Sequence, residues 1–272
     1  MLKLTYQGET SVPVEIEGLT PGIVRGKSLA EIERFEIFHG NRKLPLAEFF
    51  AISGDPADAR FEFEGNLAGV HWIGAHMTEG EIHIQGNAGR HVGSEMTGGA
   101  IHVHGDAGDW VGGELHGGLI HVRGSAGHLI GSAYRDSKRG MTGGTILIGG
   151  SVGNEVGHTM RRGMLAIGGG CGDFVGINMI AGTILVFGEC GIRPAAGMRR
   201  GTVGLFGPAA PPILSSFRRS CLYEPLVLQL VFRYLRSHEF VVPDELWNAS
   251  YRLYHGDNVE IGRGEVLVRE VG

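Results

Sequence analysis

The chain has 272 residues, of which 48 are glycine and 42% are hydrophobic, and its formal net charge is −5. This length allows one large domain or an elongated repeat domain with two small ends, and the negative charge does not suggest binding to nucleic acid or to an anionic membrane. No apolar stretch approaches the roughly 18 residues of a membrane span. The beginning, MLKLTYQGET, lacks a signal-peptide core, so we expect a cytoplasmic protein.

Residues 1–59 contain no repeat and are predicted to form a small cap. LKLTY and VPVEIE have the character of short strands, and the segment from Ser28 to Glu31 has the capping-box pattern that opens a helix. Strands FEIF and AIS follow, around a turn at Gly40 and Asn41. We expect this segment to cover a sheet edge that would otherwise invite aggregation.

A 19-residue unit then repeats up to Gly201, after a looser copy of 21 residues that begins at Arg60. Apolar residues fall at positions 2, 4, 8, 12 and 16 of the unit, and glycines at positions 6, 9, 13 and 19. The alternation at positions 2 and 4 has the period of a β-strand. One copy carries seven extra residues around AYRDSKR. The regular copies begin at Glu81, Ala100, Leu119, Thr145, Met164 and Thr183.

This repeat predicts a solenoid, because each unit can bury its apolar side only against its neighbours. The unit is too short for two packed helices, and its glycines would cost a helix about 1 kcal/mol each. Collagen is excluded because glycine does not recur at every third residue. We therefore predict a mainly β fold, a right-handed parallel β-helix of about seven turns over residues 60–207, with small α/β caps at both ends.

Residues 208–272 form the predicted C-terminal helix and tail. The segment from Pro208 to Pro212 breaks the repeat, Leu222 to Arg236 has the pattern of an amphipathic helix, and the tail contains YRLYHGD and GEVLV. Position 3 of the later copies, which points outward, becomes apolar, so we expect the C-terminal helix or a partner subunit to cover it. These apolar residues are Leu147, Ala166 and Leu185.

Histidine and cysteine are candidates for metal chemistry, but the pattern favours structural roles. His83, His102 and His121 share position 3 on successive copies, which predicts stacked surface imidazoles or a face that binds another protein; we predict no metal site. Three cysteines make neither a disulfide framework nor a zinc site. Cys171 and Cys190 occupy position 8, where small residues are expected to fill the interior.

Two pairs of arginines form the sharpest candidate binding site. Arg161–Arg162 and Arg199–Arg200 fall at positions 17 and 18 of copies two turns apart, so we expect them at one corner. Guanidinium groups bind carboxylates through paired hydrogen bonds, which suits an acidic partner or an anionic carrier tail. The alternative is a solvated corner with internal salt bridges. The insertion adds Arg135, Lys138 and Arg139.

The sequence contains no G-x-S-x-G, C-x-x-C or H-E-x-x-H motif. The glycine-rich repeat with its GMRRGT corner (197–202) resembles the glutamate-synthase C-terminal type of β-helix. Two flanks, GKSLAEIERFEIFHGNRK (26–43) and YRLYHGDNVEIGRGEVLV (251–268), resemble the C subunit of formylmethanofuran dehydrogenase and its counterpart in the formyltransferase/hydrolase complex of methylotrophic bacteria.

The resemblance implies a non-catalytic structural subunit. In the bacterial complex of that family, formyl-tetrahydromethanopterin passes its formyl group to a methanofuran-type carrier, from which formate is released during formaldehyde oxidation, whereas the methanogen-type enzyme links the carrier to CO2 reduction. It implies that the carrier and the metals belong to formyltransferase, amidohydrolase-like and further subunits, with no cofactor in this chain. Alternatives are the C subunit of a molybdenum or tungsten formylmethanofuran dehydrogenase, a glutamate-synthase-like spacer, and a free-standing polysaccharide-acting enzyme.

Overall fold

The computed structural model describes residues 1–270. The chain is mainly β, with one large, mostly parallel sheet of 13 strands, a four-stranded sheet and few helices. The large sheet is open, with the strand Arg218–Tyr223 at one edge and the strand Phe50–Gly54 at the other. None of the helices in the described part of the chain has the length and apolar character needed to cross a lipid bilayer.

Residues 1–59 contain the strands and the capped helix that the sequence predicts. Ser28 and Glu31 make both hydrogen bonds of the capping box. Strand Leu2–Tyr6 pairs in parallel with Arg60–Glu64 of the first copy and antiparallel with Phe50–Gly54, so this segment extends the large sheet at its edge. Its elements are β1 (Leu2–Tyr6), β2 (Val14–Glu15), α1 (Pro21–Val24), α2 (Leu29–Glu33), β3 (Glu36–His39), β4 (Arg42–Pro45) and β5 (Phe50–Gly54).

Each repeat copy contributes one strand to the large sheet, and in the six regular copies that strand occupies positions 1 to 4 of the unit. Neighbouring strands are parallel and in register, so that Ile82 lies beside Ile101 and Ile101 beside Ile120. A short strand outside this series, β7 (Val70–His71), joins the small sheet through β2. The repeat strands are β6 (Arg60–Glu64), β8 (Glu81–Ile84), β9 (Ala100–Val103), β10 (Leu119–Val122), β11 (Thr145–Ile148), β12 (Met164–Ile167), β13 (Thr183–Val186) and β14 (Arg200–Leu205).

A second column of contacts runs through position 8. Leu67, Ala88, Ala107 and Ala126 form successive parallel bridges, and the column resumes with Val152, Cys171 and Cys190. Cys171 is buried and Cys190 is half-buried, which matches the predicted packing role. Like residues of successive copies therefore lie beside one another at two separate places along the unit.

The C-terminal segment differs from the sequence prediction at its start. The helix α3 covers Leu226–Ser237, whereas residues from Arg218 to Tyr223 form β15, so the predicted helical start at Leu222 is wrong. Pro225 explains the boundary, because proline disfavours helical backbone in the residue before it and is tolerated where a helix begins. β16 (Tyr251–Gly256) and β17 (Arg263–Arg269) complete the sheet, and β17 pairs in parallel with β14.

Helix α3 covers the apolar continuation of the outward face. Leu147, Ala166 and Leu185 are fully buried in one cluster with Leu228, Phe232 and Leu235 of the helix. The sequence expectation that the C-terminal helix covers these residues is confirmed. The hydroxyl groups of Thr145 and Tyr234 lie 3.0 Å apart and join the sheet to the helix.

Candidate functional site

The four predicted arginines line one surface cavity of about 640 Å³. Ile180 and Ala181, from the copy between the two arginine pairs, form part of its lining. Glu260 and Ile261 from the C-terminal tail also line it, and no sequence pattern indicated their position. Arg161, Arg162, Arg199 and Arg200 are thus brought to one site.

The corner position follows from the column of methionines at position 16. Met160, Met179 and Met198 are fully buried, so the two residues that follow each of them begin the turn away from the interior. The Arg161 amide donates to the Met141 carbonyl, and the Arg199 amide donates to the Met179 carbonyl, both at 2.8 Å. These backbone hydrogen bonds hold the first arginine of each pair beside the position 16 methionine of the preceding copy.

Little negative charge within the protein offsets these arginines. The Nε atom of Arg199 lies 3.1 Å from a carboxylate oxygen of Glu260. Within residues 1–270, Arg161, Arg162 and Arg200 make no ion pair with a carboxylate. The corner therefore keeps guanidinium groups available for an external anion, which favours the binding interpretation over the solvated corner with internal salt bridges.

A second surface cavity, of about 720 Å³, continues from the first through Arg161 and Arg162. Lys138 and Arg139 of the seven-residue insertion line it, together with Glu114 and His116, whereas Arg135 is not among its lining residues. The insertion thus reaches the arginine corner, which the repeat pattern did not reveal. We call Lys138, Arg139, Arg161, Arg162, Arg199 and Arg200 the basic strip.

The histidines at position 3 stack as predicted on two of the three copies. The rings of His83 and His102 lie 4.9 Å apart and are inclined by 15°. The ring of His121 is tilted against that of His102 and is buried. Nearby, Arg123 pairs with Glu239, which follows helix α3. Burial lowers the pKa of His121 to about 4.

Glu81 belongs to this face, although it occupies position 1. Its Oε1 atom lies 2.9 Å from Nε2 of His83 and 3.7 Å from Nε2 of His102. We call Glu81, His83 and His102 the histidine cluster. The repeat pattern did not indicate Glu81, because its position 1 differs from position 3, which the histidines occupy.

An aromatic column on another side of the copies was also missed. Trp72 and His91 stack with ring centroids 3.9 Å apart, and Tyr134 of the insertion lies 4.8 Å from Trp110. Burial lowers the pKa of His91 to about 4 and raises the pKa of Tyr134 to about 12. The signal available in the sequence was the 19-residue spacing from Trp72 to His91 and from His91 to Trp110.

A family model described as the GXGXG motif matches residues 66–210, a little over half of the 272 residues. The chain belongs to the GXGXG motif family. Both the basic strip and the histidine cluster lie inside the region that matches this GXGXG family.

Two similar proteins belong to archaeal enzymes. The C subunit of tungsten-containing formylmethanofuran dehydrogenase 2 from Methanothermobacter wolfeii is 39% identical over 93 residues, covering 33% of this chain and 34% of that protein. The C subunit of molybdenum-containing formylmethanofuran dehydrogenase 1 from Methanosarcina barkeri is 37% identical over 85 residues, covering 30% and 28%. The aligned part of this GXGXG chain thus spans about a third of the length of these curated relatives.

A solved structure is similar over nearly the full length. The X-ray crystal structure of the formyltransferase/hydrolase complex (FhcABCD) from Methylorubrum extorquens in complex with methylofuran contains a matching chain, with a TM-score of 0.91 and 32% identity. The match covers 99% of this chain and 100% of that chain. These similarities confirm the resemblance to the C subunits of such complexes.

Proposed function

We propose that this chain is a non-catalytic structural subunit, equivalent to the C subunits of its relatives, in a formyltransferase/hydrolase complex. Such a complex transfers a formyl group from formyl-tetrahydromethanopterin to a methanofuran-type carrier and releases formate. The observation that carries the proposal is the match to a chain of the Methylorubrum extorquens complex over 99% of this sequence. The formyl-transfer and hydrolysis chemistry, the carrier and the metals would belong to the partner subunits.

We also propose that the repeat winds as a right-handed parallel β-helix of about seven turns. The in-register strands and the separate column at position 8 support this winding, because both place each copy directly against the one before it. We assign residues 1–59 to an N-terminal cap, 60–207 to the β-helix and 208–272 to a C-terminal helix and tail. A rigid body of this kind suits a subunit that holds others in place.

The alternative function is that of the C subunit in a molybdenum or tungsten formylmethanofuran dehydrogenase. It is supported by the identities of 39% and 37% to archaeal subunits of those enzymes. We favour the formyltransferase/hydrolase complex because the similarity to it extends over the whole chain, whereas the archaeal alignments cover about a third. The cytoplasmic location and the lack of nucleic-acid and membrane partners stay predictions.

Purification of the tagged chain from its native host tests this proposal. We expect formyltransferase and amidohydrolase-like chains to co-purify, and metal analysis of the complex to find neither molybdenum nor tungsten. Molybdenum or tungsten in stoichiometric amount would establish the alternative. Glutamate-synthase chains in the preparation, or no stable partner at all, would contradict both.

We further propose that the basic strip binds a polycarboxylate, either the acidic tail of the carrier or an acidic surface of a partner subunit. Two observations support this proposal. The four arginines line one cavity, and of these four only Arg199 pairs with a carboxylate within residues 1–270. The continuation through Lys138 and Arg139 gives the strip the length to contact several carboxylates in a row.

Reversing the charge at Arg161 and Arg162 tests the strip. With both residues changed to Glu, we expect the affinity for an oligoglutamate peptide to fall at least about tenfold, since two charge-assisted contacts are lost and repulsion is added. The matched control is the change of Arg218 and Arg219, a consecutive and exposed pair on β15, to Glu. Fluorescence anisotropy at low salt measures both; equal affinities for the two variants would contradict the proposal.

A further inference from the structure

We propose that Glu81, His83 and His102 bind one divalent first-row transition-metal ion, with zinc as the best chemical match. The three side chains project from β8 and β9, the strands of two neighbouring copies, on the outward face of the large sheet. The proposal reverses the sequence-based expectation that this chain has no metal site. It is independent of the function proposed above.

The spacing of the ligand atoms fits a single ion. One ligand atom from each residue lies within 4.8 Å of the other two. The shortest distance is 2.9 Å, between Oε1 of Glu81 and Nε2 of His83, and that from Oε1 to Nε2 of His102 is 3.7 Å. Ligands about 2.0 to 2.1 Å from a tetrahedral zinc ion lie roughly 3.4 Å from one another. Small side-chain rotations would therefore equalise the three distances.

The register of the sheet explains why these groups meet. His83 and His102 are direct partners in the pairing of β8 with β9, which places their rings one above the other. Ala100 is the partner of Glu81 in that pairing, and its methyl group leaves space for the carboxylate to lean toward His102. The Nε atom of Arg60 lies 3.2 Å from the other oxygen, Oε2, and holds the carboxylate with Oε1 toward the rings. Such support of a ligand by a neighbouring side chain is common in metal sites.

The exposure of the cluster suits metal binding. The side chains of Glu81, His83 and His102 are 30%, 32% and 25% exposed, so an ion can enter from solvent.

Three protein ligands leave a coordination position free for water or an anionic ligand. A surface cavity of about 470 Å³ lies beside Glu81 and is lined by Arg60, Gly80, Gly99 and Ala100 among others. Two imidazoles and one carboxylate with a free position form a ligand set that zinc accepts in open sites. The chemical class of ligand is therefore a divalent ion carrying an exchangeable oxygen ligand.

Metal titration of the chelator-treated, full-length chain tests the site. We expect one Co²⁺ ion to bind per chain and to give the visible d–d absorption of a low-symmetry coordination site. Zn²⁺ should displace this Co²⁺ ion. Glu81→Gln and His83→Gln should each weaken Zn²⁺ binding at least about tenfold in calorimetry. X-ray absorption of the zinc-loaded wild type should show imidazole scattering, and a first shell of oxygen alone would overturn the proposal even if a variant failed to fold.

Two control variants separate the site from general surface binding. Glu36→Gln removes the same charge on β3 of the small sheet, where the carboxylate pairs with Lys43. His116→Gln removes an imidazole that hydrogen-bonds to Thr142 elsewhere. Both should bind Zn²⁺ like the wild type. A wild type that binds no metal at micromolar concentration, or controls that lose as much affinity as the ligand variants, would overturn the proposal.

Discussion

Single residues at one corner of the repeat show why glycine recurs at position 13 but not at positions 11 and 15, where the backbone also has positive φ. Trp110, Gly112 and Glu114 all have positive φ, of 63°, 60° and 52°. The left-handed backbone alone therefore does not demand glycine here, since two of the three positions carry large side chains. Position 13 differs because a Cβ atom on Gly112 would lie 2.5 Å from the Cδ1 atom of Ile146 in the interior.

Gly112→Ala should therefore lower stability more than backbone conformation alone would. Left-handed backbone costs an alanine about 1–2 kcal/mol, and the clash with Ile146 adds to this, so we expect a loss of roughly 2–4 kcal/mol. Gly18→Ala is the matched control, because Gly18 also has positive φ, of 81°, but a Cβ atom there would have no neighbour within 4 Å. Thermal unfolding followed by circular dichroism compares the two. Equal midpoints would contradict the steric explanation.

His91 should make the fold sensitive to acid. Its pKa is about 4 in the folded chain against an ordinary value of 6.5, mainly because it is buried in the aromatic column. His71 and Arg90 oppose its protonation, whereas Asp109 and Glu17 favour it. The unfolded chain therefore binds more protons between these two pH values, so the contribution of His91 is complete above pH 6.5 and is lost as the pH falls through 4.

The measurement is the thermal midpoint of the wild type and of His91→Gln between pH 7 and pH 4. At about 1.4 kcal/mol per pKa unit, the largest contribution of His91 to the free energy of unfolding is roughly 3 kcal/mol. Solvent screening of a half-buried ring reduces this contribution to about 1 kcal/mol. On acidification from pH 7 to pH 4, His91→Gln should lose about 1 kcal/mol less unfolding free energy than the wild type. His128→Gln, at an exposed histidine, should follow the wild type. Parallel pH profiles for all three proteins would refute the role of His91.

Among the elements, helix α3 has two apolar faces with different surroundings. Phe232 is 1% exposed and packs in one cluster with the outward face of the sheet. Leu226, Val227 and Leu230 are between 60% and 76% exposed on the other side of the helix. The buried face explains the stability of the C-terminal segment, because it covers residues that would otherwise be an exposed apolar patch.

Phe232→Ala should cost about 3–5 kcal/mol of unfolding free energy, as expected for a large buried aromatic side chain. Leu230→Ala on the same helix should change it by less than about 0.5 kcal/mol, since the side chain is exposed. Thermal unfolding of the isolated chain compares both. A large loss from Leu230→Ala and none from Phe232→Ala would mean that the helix packs by its other face.

The sequence predicted those elements whose residues obey a local period or a local motif. Position 2 of the repeat fixed the strand register, and Ser28 with Glu31 fixed the start of α2. The pairing of β17 with β14 and the approach of Glu260 to Arg199 were not predictable, because they join segments far apart in sequence that share no repeat. The four arginines were found because they sit inside the repeat, whereas Glu81 required side-chain geometry.

The whole molecule is best understood as a stack of like copies that places charged and imidazole groups on a rigid surface while, in our proposal, other subunits perform the chemistry. The direct measurement is formate release from a formylated methanofuran-type carrier by the purified complex and by this chain alone. The account predicts release by the complex and none above background by the isolated chain. Formate release by the isolated chain at a rate comparable to that of the complex would contradict it.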